Sequence, residues 1–325
     1  MSKIMHMILT RRRALAAGAA GAALLYAPQL LARPAPLVLS GEAFGSGWRI
    51  TLTGAHDAAL IGPGVVDILA RIDAQMSPWR ADSDVTRFNR AGAGGMAVPE
   101  PLAEVAQAAL RVARDSGGAF DPTVGPLVAR LGLGPIEGDG RPGYAGLAAQ
   151  ENELRKDRAG LTFDPCGIAK GYALDRLGDY LLAKGVGDFL IELGGDLLAR
   201  GVNGQGQPWR VGVEAPSGAG LAARLALRDR AVATSGLYAQ GYVLGGVAQS
   251  HIIDPAALGP VAGGPVSVTV AAARGVDADG WATALMAAGA GAEGLARGAG
   301  LDALILAADG GQVVTGAMGA MLEGA

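Results

Sequence analysis

Apolar and polar positions alternate over residues 48–53, the period of a half-buried strand. The spacing turns helical over about 65–75 and is irregular over 76–83. A second helix is predicted over 101–116, with proline near its start and Gly117-Gly118 as its stop. Helical spacing returns over 168–184, ended by Gly185. Short strands are predicted at 189–193 and 197–202 around Gly194-Gly195-Asp196, then at 209–213, 224–227 and 231–234. A strand of the buried type follows at 266–272, a helix at 278–288, and a strand at 303–308 closed by Gly310-Gly311. Helices and strands mix without strict alternation, which predicts an α+β fold. The Gly/Pro-rich stretch 132–146 reads as a loop.

Composition narrows the functional classes. The chain has 325 residues, 50% hydrophobic and 18% charged, which is too apolar for a disordered protein. Its 53 glycines follow no Gly-X-Y period, so a collagen is excluded. A formal net charge of −3 argues against nucleic acid as a partner. The lone Cys166 excludes an intramolecular disulfide framework and a multi-cysteine zinc site. Three histidines, His6, His56 and His251, leave little for a histidine-rich metal centre.

Thr10-Arg11-Arg12-Arg13-Ala14-Leu15 precedes a mildly apolar Ala/Gly/Leu run over 16–27. A basic segment before a short apolar stretch is the layout of an export signal, too short to span a bilayer. The paired arginines and the weak apolar core point to the twin-arginine route. The expected organisation is therefore a signal over 1–35 and one mature domain over 36–325, located in the periplasm. No other stretch is apolar for long enough to span, so contact with a membrane is expected only through the signal or a partner.

Familiar catalytic motifs are mostly missing. The one G-x-G-x-x-G, Gly138 to Gly143, follows no strand and contains Pro142, which argues against a dinucleotide fingerprint. Cys166 and His251 could pair as nucleophile and base, although a small, semi-buried thiol is the plainer reading. Asp164-Pro165-Cys166-Gly167-Ile168-Ala169-Lys170-Gly171-Tyr172 places an acid, a glycine turn and a lysine where a strand gives way to a helix. Free N–H groups and a lysine at a helix start suit a phosphate, while a capped helix with a solvated lysine is the alternative. Asp279 and Thr283 stand one helical turn apart, and a carboxylate with a hydroxyl there suits Mg²⁺. They could equally be a first-turn helix acid and a packed β-branched residue.

Taken in order, eight segments resemble the ApbE family, the FAD:protein FMN transferases. They are Gly41-Glu42-Ala43-Phe44-Gly45-Ser46; Met76-Ser77-Pro78-Trp79-Arg80 with Asp82-Ser83 and Arg87-Phe88-Asn89; Gly117-Gly118-Ala119-Phe120-Asp121-Pro122-Thr123-Val124-Gly125-Pro126-Leu127; the run from Asp164 to Gly171; Gly194-Gly195-Asp196; Thr234-Ser235-Gly236; His251-Ile252-Ile253-Asp254-Pro255; and Asp279-Gly280-Trp281-Ala282-Thr283. The resemblance implies an exported enzyme of mixed, T-fold-like architecture. Such an enzyme cleaves FAD with Mg²⁺, joins FMN through a phosphoester to a Thr or Ser of a redox protein, and releases AMP. It further implies flavin contacts from Phe44, Trp79, Ala119, Phe120, Asp121, Asp164, Lys170 and Ile253. Asp279, Thr283 and the Gly167 carbonyl are the implied metal ligands, with Asp279 and Lys170 serving the chemistry. His251 stands as a possible general base or as a structural hydrogen-bonding residue. The sequence departs from the family at Phe44, where methionine is usual, at Trp79, where tyrosine is frequent, and at Pro165-Cys166, which replaces a Leu-Gly-like pair. Two rival functions share the site: an Mg²⁺-dependent FAD pyrophosphatase and a non-enzymatic flavin-binding assembly factor.

Overall fold

The computed structural model describes residues 35–237, 242–244, 247–249 and 252–324. The export segment expected over 1–35 lies outside the described residues apart from Ala35, and His251 lies outside them altogether. Strands β1 (Leu37–Ala43) and β2 (Ser46–Leu52) form a hairpin whose two-residue turn is Phe44-Gly45. Both turn residues have positive φ, +55° and +71°, as the tightest hairpin turns require. Only β2 was marked by the pattern, since β1 is an edge strand with much of its side-chain surface in water.

Helix α1 (Ala58–Met76) starts earlier than its periodicity suggests, because Gly62-Pro63-Gly64 interrupts the pattern. Asp57 caps it by accepting the Ala59 N–H at 2.8 Å, and Ile61, Val65, Leu69, Ile72 and Met76 form its buried stripe. Ser83 caps α2 (Asp84–Arg90), a helix within a region of no clear period. Then come β3 (Gly94–Ala97), the strongly amphipathic α3 (Glu100–Asp115), α4 (Gly125–Arg130), β4 (Leu147–Gln150) and β5 (Glu153–Lys156). The strands among these form a small sheet in the order β3-β5-β4.

Helix α5 (Ala169–Ala183) leads into β6 (Phe189–Leu193) and β7 (Asp196–Arg200), joined by a tight turn at Gly194-Gly195. A hairpin of β8 (Trp209–Glu214) and β9 (Leu221–Leu227) precedes β10 (Arg230–Gly236). Two small pairs follow, β11 (Tyr242–Leu244) with β12 (Val247–Gln249) and β13 (Ile253–Asp254) with β14 (Gly259–Pro260). The chain ends with β15 (Pro265–Ala272), α6 (Gly275–Ala287), α7 (Ala292–Gly298), β16 (Asp302–Ala307), β17 (Gln312–Thr315) and α8 (Met318–Met321).

The central sheet runs β1-β2-β6-β7-β10-β15-β16-β17, and every neighbouring pair is antiparallel. Helices α1, α5 and α6 cover one face, with α3 packed behind α6. Ala231, Ala233, Val268, Val270, Ala303 and Ile305 point into that large core. The alternate residues Val232, Ala271, Leu304 and Leu306 point the other way, where Trp209, Val213, Leu225 and Leu227 of the β8–β9 hairpin and Met318 close a second core. Burial on both faces is why β15 and β16 read as unbroken apolar runs. The architecture is α+β, as the pattern predicts.

Candidate functional site

At one end of the central sheet the starts of α5 and α6 meet. Gly171 lies in the first turn of α5 and Gly275 begins α6. A Cβ added at Gly171 would stand 2.1 Å from the Gly275 carbonyl oxygen, so only glycine allows the helices this close. That contact places Asp279, buried on the second turn of α6, against the start of α5, where its Oδ2 accepts the Gly171 N–H at 2.9 Å. The Lys170 N–H also points at Asp279, and the Ala169 N–H is taken by the Pro165 carbonyl at 2.9 Å. Two expectations are corrected here. Asp279 is not a first-turn acid of its own helix, because α6 begins at Gly275 and not at 278. Nor are the N–H groups at the start of α5 left free; the Asp279 carboxylate and the Pro165 carbonyl already serve them.

The charges around this junction are tightly arranged. Lys170, one residue into α5, reaches Asp196 at 2.5 Å from Nζ to Oδ2. Asp196 opens β7 directly after the Gly194-Gly195 turn, and its other oxygen accepts the Thr234 N–H at 3.2 Å. Burial first, then the neighbouring charge of Asp196, pushes the Asp279 carboxyl up to about 7, while Lys170 opposes the rise. Burial likewise raises the Asp196 carboxyl against the pull of Lys170. For Lys170, burial works against the charge, but the carboxylates of Asp196 and Asp279 outweigh it and hold the ammonium above its ordinary pKa. Two buried carboxylates thus share one lysine, and a cation beside them would favour their charged forms.

Thr283, one turn beyond Asp279 on α6, donates to the Gly167 carbonyl at 3.3 Å. Ser235 Oγ, at the end of β10, lies 3.5 Å from the same hydroxyl. Asp279, Thr283 and Gly167 therefore present a carboxylate, a hydroxyl and a carbonyl within one small region. Among the described residues no group of three or more His, Cys, Asp or Glu side chains could hold a metal. The donors are instead hard oxygens with a single charge, which fits Mg²⁺ completed by phosphate and water better than a cation needing a full protein cage.

Above this floor opens a cavity of about 880 Å³, large among small-molecule sites. Phe44, at the β1–β2 turn, and Trp79, left 65% exposed, stand on its wall. Ala119, the buried Phe120, Asp121, Asp164 and Ile253 also line it, together with Gly167, Lys170, Asp279 and Thr283. The structure thus gathers every predicted site residue among the described ones in a single cavity.

Several of these residues already have partners. Asp121 accepts the Thr123 N–H at 2.8 Å, the Thr123 hydroxyl at 2.5 Å and the Tyr144 N–H at 3.2 Å, which folds the loop under Phe120. Asp164 accepts the Cys166 N–H at 2.9 Å and donates its own N–H to the Pro122 carbonyl at 2.7 Å, joining the two wall segments. Desolvation of its sulfur, then the charge of Asp164, raises the Cys166 thiol although the residue itself is exposed, which disfavours the thiolate that a nucleophile needs. Leu133, Gly134, Pro135 and Ile136, from the predicted Gly/Pro-rich loop, close another side. Asp196 and Ser235 stand inside the family-like motifs, but the sequence alone assigns them no role. Their only sequence signal was a place beside Gly194-Gly195 and Gly236.

Ring-bearing walls stand over an oxygen-rich floor with a lysine, in a cavity of the size and mixed polarity of a small-molecule site. The model of the ApbE family matches residues 44–305, and the chain belongs to that family of flavin transferases. The FAD:protein FMN transferase of Salmonella typhimurium is 35% identical over 280 residues, covering 79% of this chain and 80% of the relative. That of Vibrio cholerae is also 35% identical, covering 79% and 83%. The solved flavin transferase ApbE from Vibrio cholerae superposes with a TM-score of 0.81 at 31% identity, covering 89% of this chain and 100% of that one. The apo flavinyl transferase ApbE of Pseudomonas stutzeri gives 0.81 at 30% identity, covering 90% and 98%. The protein is an enzyme of the transferase class.

Proposed function

We propose that this protein is an Mg²⁺-dependent FAD:protein FMN transferase, exported by the twin-arginine route to the periplasm as a mature domain over 36–325. It would attach FMN through a phosphoester to a Thr or Ser of an exported or membrane-bound redox protein and release AMP. The observation that carries this reading is the convergence of Asp279, Thr283, the Gly167 carbonyl and Lys170 on the floor of an aromatic-walled cavity of about 880 Å³.

Asp279, Thr283 and Gly167 would hold the metal, which supplies charge neutralisation at the pyrophosphate when bound. Lys170, kept in place by Asp196 at 2.5 Å, brings a permanent positive charge to the same oxygens. Phe44, Trp79 and Phe120 offer flat apolar surface for the ring system. Asp121 and Asp164 brace the wall on which Phe120 and Gly167 stand. The bond between the FMN-side phosphorus and the bridging oxygen of the pyrophosphate would break, that oxygen leaving with AMP, while an acceptor hydroxyl, its proton passing to solvent, forms the new O–P bond; Lys170 would offset the charge developing on the departing AMP. Little covalent chemistry falls to the protein, whose work is positioning and electrostatics.

The test is mass spectrometry of a Thr- or Ser-bearing acceptor after incubation with the protein, FAD and Mg²⁺. A covalent FMN adduct formed with equimolar AMP is expected. Steady release of free FMN and AMP with no adduct would instead establish the pyrophosphatase.

A further inference from the structure

Residues 171–175 and 275–279 share one pattern, a glycine followed four positions later by an aspartate. The structure sets the two copies face to face. Asp279 of α6 accepts the Gly171 N–H of α5 at 2.9 Å, and Asp175 of α5 accepts the Gly275 N–H of α6 at 2.6 Å. The second oxygen of Asp175 accepts the Val276 N–H at 3.1 Å and lies 3.4 Å from Arg274 Nε. Between the two acids the glycine backbones touch, since a Cβ at Gly275 would come within 2.4 Å of the Gly171 carbonyl oxygen. Each helix thus carries, four residues after its junction glycine, the acid that caps the other.

The two acids face different surroundings. Asp279 lines the cavity, whereas Asp175 is buried at 6% exposure and is not part of the cavity wall. No side chain of α6's own neighbourhood caps its start. The Asp175 carboxylate takes two N–H groups that would otherwise be orphaned at that end. Asp279 follows Gly275 by one turn, so whatever anchors Gly275 also sets where the Asp279 carboxylate stands.

We propose that Asp175 is a positioning residue for the metal-dependent step: by anchoring the first turn of α6 on α5, it aims Asp279 at the cation. This inference rests on the metal reading of Asp279 given above. Asp175→Asn keeps shape, but its amide offers only one acceptor and turns N–H groups toward a backbone N–H. Gly171→Ala disturbs the same junction from the opposite helix without altering a charge or a ligand.

The experiment titrates Mn²⁺, read as free ion by electron paramagnetic resonance, into the FAD-loaded protein, with FAD affinity measured separately without metal. Asp175→Asn is expected to weaken Mn²⁺ binding by about 10-fold, the usual effect of losing a partner that orients a ligand. Metal-free FAD affinity should remain near wild type, and excess metal should restore turnover. Gly171→Ala should shift Mn²⁺ binding in the same direction, and it decides the matter if Asp175→Asn loses its circular dichroism. Lower thermal stability with wild-type Mn²⁺ affinity in either folded variant would overturn the proposal and leave Asp175 a purely structural cap. Asp279→Asn serves as the control: retained Mn²⁺ affinity there would refute the metal reading itself, an outcome distinct from failure of the Asp175 inference alone.

Discussion

Asp279 Oδ2 accepts the Gly171 N–H at 2.9 Å, so truncating this side chain removes a helix-end acceptor together with the proposed metal ligand. Asp279→Asn separates the two, because it leaves an acceptor for the N–H and removes the charge. FMN transfer by Asp279→Asn should fall by more than about 100-fold, beyond the usual cost of losing a partner in the outer shell. Circular dichroism should stay wild type, and chelator should reproduce the loss in the unaltered protein. Thr283→Val removes only an oxygen and should cost about 10-fold, because the carboxylate and the carbonyl remain. Full transfer by a folded Asp279→Asn protein would show that the cation, if any, sits elsewhere. Cys166 separates the transferase from a thiol hydrolase: with its thiol held protonated, Cys166→Ser should retain transfer within about 3-fold, less than a lost hydrogen bond to a charged group costs. Inactivation of that variant would return the thiol to the chemistry.

Among the elements, the β1–β2 hairpin joins strain to function. Phe44 sits at φ +55°, a conformation that costs a residue with a Cβ about 1–2 kcal/mol, and its ring lines the cavity. Asn tolerates that conformation, so Phe44→Asn should offset lost packing with relieved strain. Its melting temperature should stay within about 4 °C of wild type, the shift that ~1 kcal/mol makes at most in a domain of this size. FAD affinity should fall about 5-fold or more as the aromatic contact disappears. A melting temperature well below that range with unchanged FAD affinity would make Phe44 a packing residue only. The element scale is also where sequence reading succeeded and failed for identifiable reasons. Helices α3 and α5 show in the sequence by their helical spacing and strands β6 and β8 by alternation, whereas β15 shows as an unbroken apolar run. Strands β3, β4 and β5 and helices α4 and α8 have four to six residues, too few for a period to register. The start of α6 was misplaced because its cap, Asp175, is supplied by another helix, and local pattern carries no trace of a partner 100 residues away. The site is legible as residue types in order; the pairings Lys170–Asp196 and Asp175–Gly275 are not, since they depend on how α5 packs against β7 and α6.

At the largest scale, two cores on opposite faces of one sheet bind early and late elements of the described domain together. Trp209 of the β8–β9 hairpin, Leu304 of β16 and Met318 of α8 share the smaller core, while Trp48 and Ile305 belong to the larger. The proposed twin-arginine export suits a domain that passes the membrane folded. Replacing Arg11 and Arg12 together by Lys should hold the precursor in the cytoplasm, as cell fractionation would show, and undiminished periplasmic accumulation would count against that route. Strand register has a further, kinetic consequence. β2 pairs with β6, setting Trp48 opposite Leu193, and β7 pairs with β10 across the intervening β8–β9 hairpin. Closing such distant pairings is slow compared with forming local hairpins or helices. During synthesis, β1 and β2 therefore leave the ribosome long before their partner strand exists. The junction that places Asp279 beside Gly171 cannot assemble until the turns of α6 have also emerged. Completion of the cavity is consequently among the last events of biogenesis, and a nascent chain stalled before Gly275 contains the wall residues Phe44, Trp79 and Phe120 but lacks Asp279 and Thr283 of the floor.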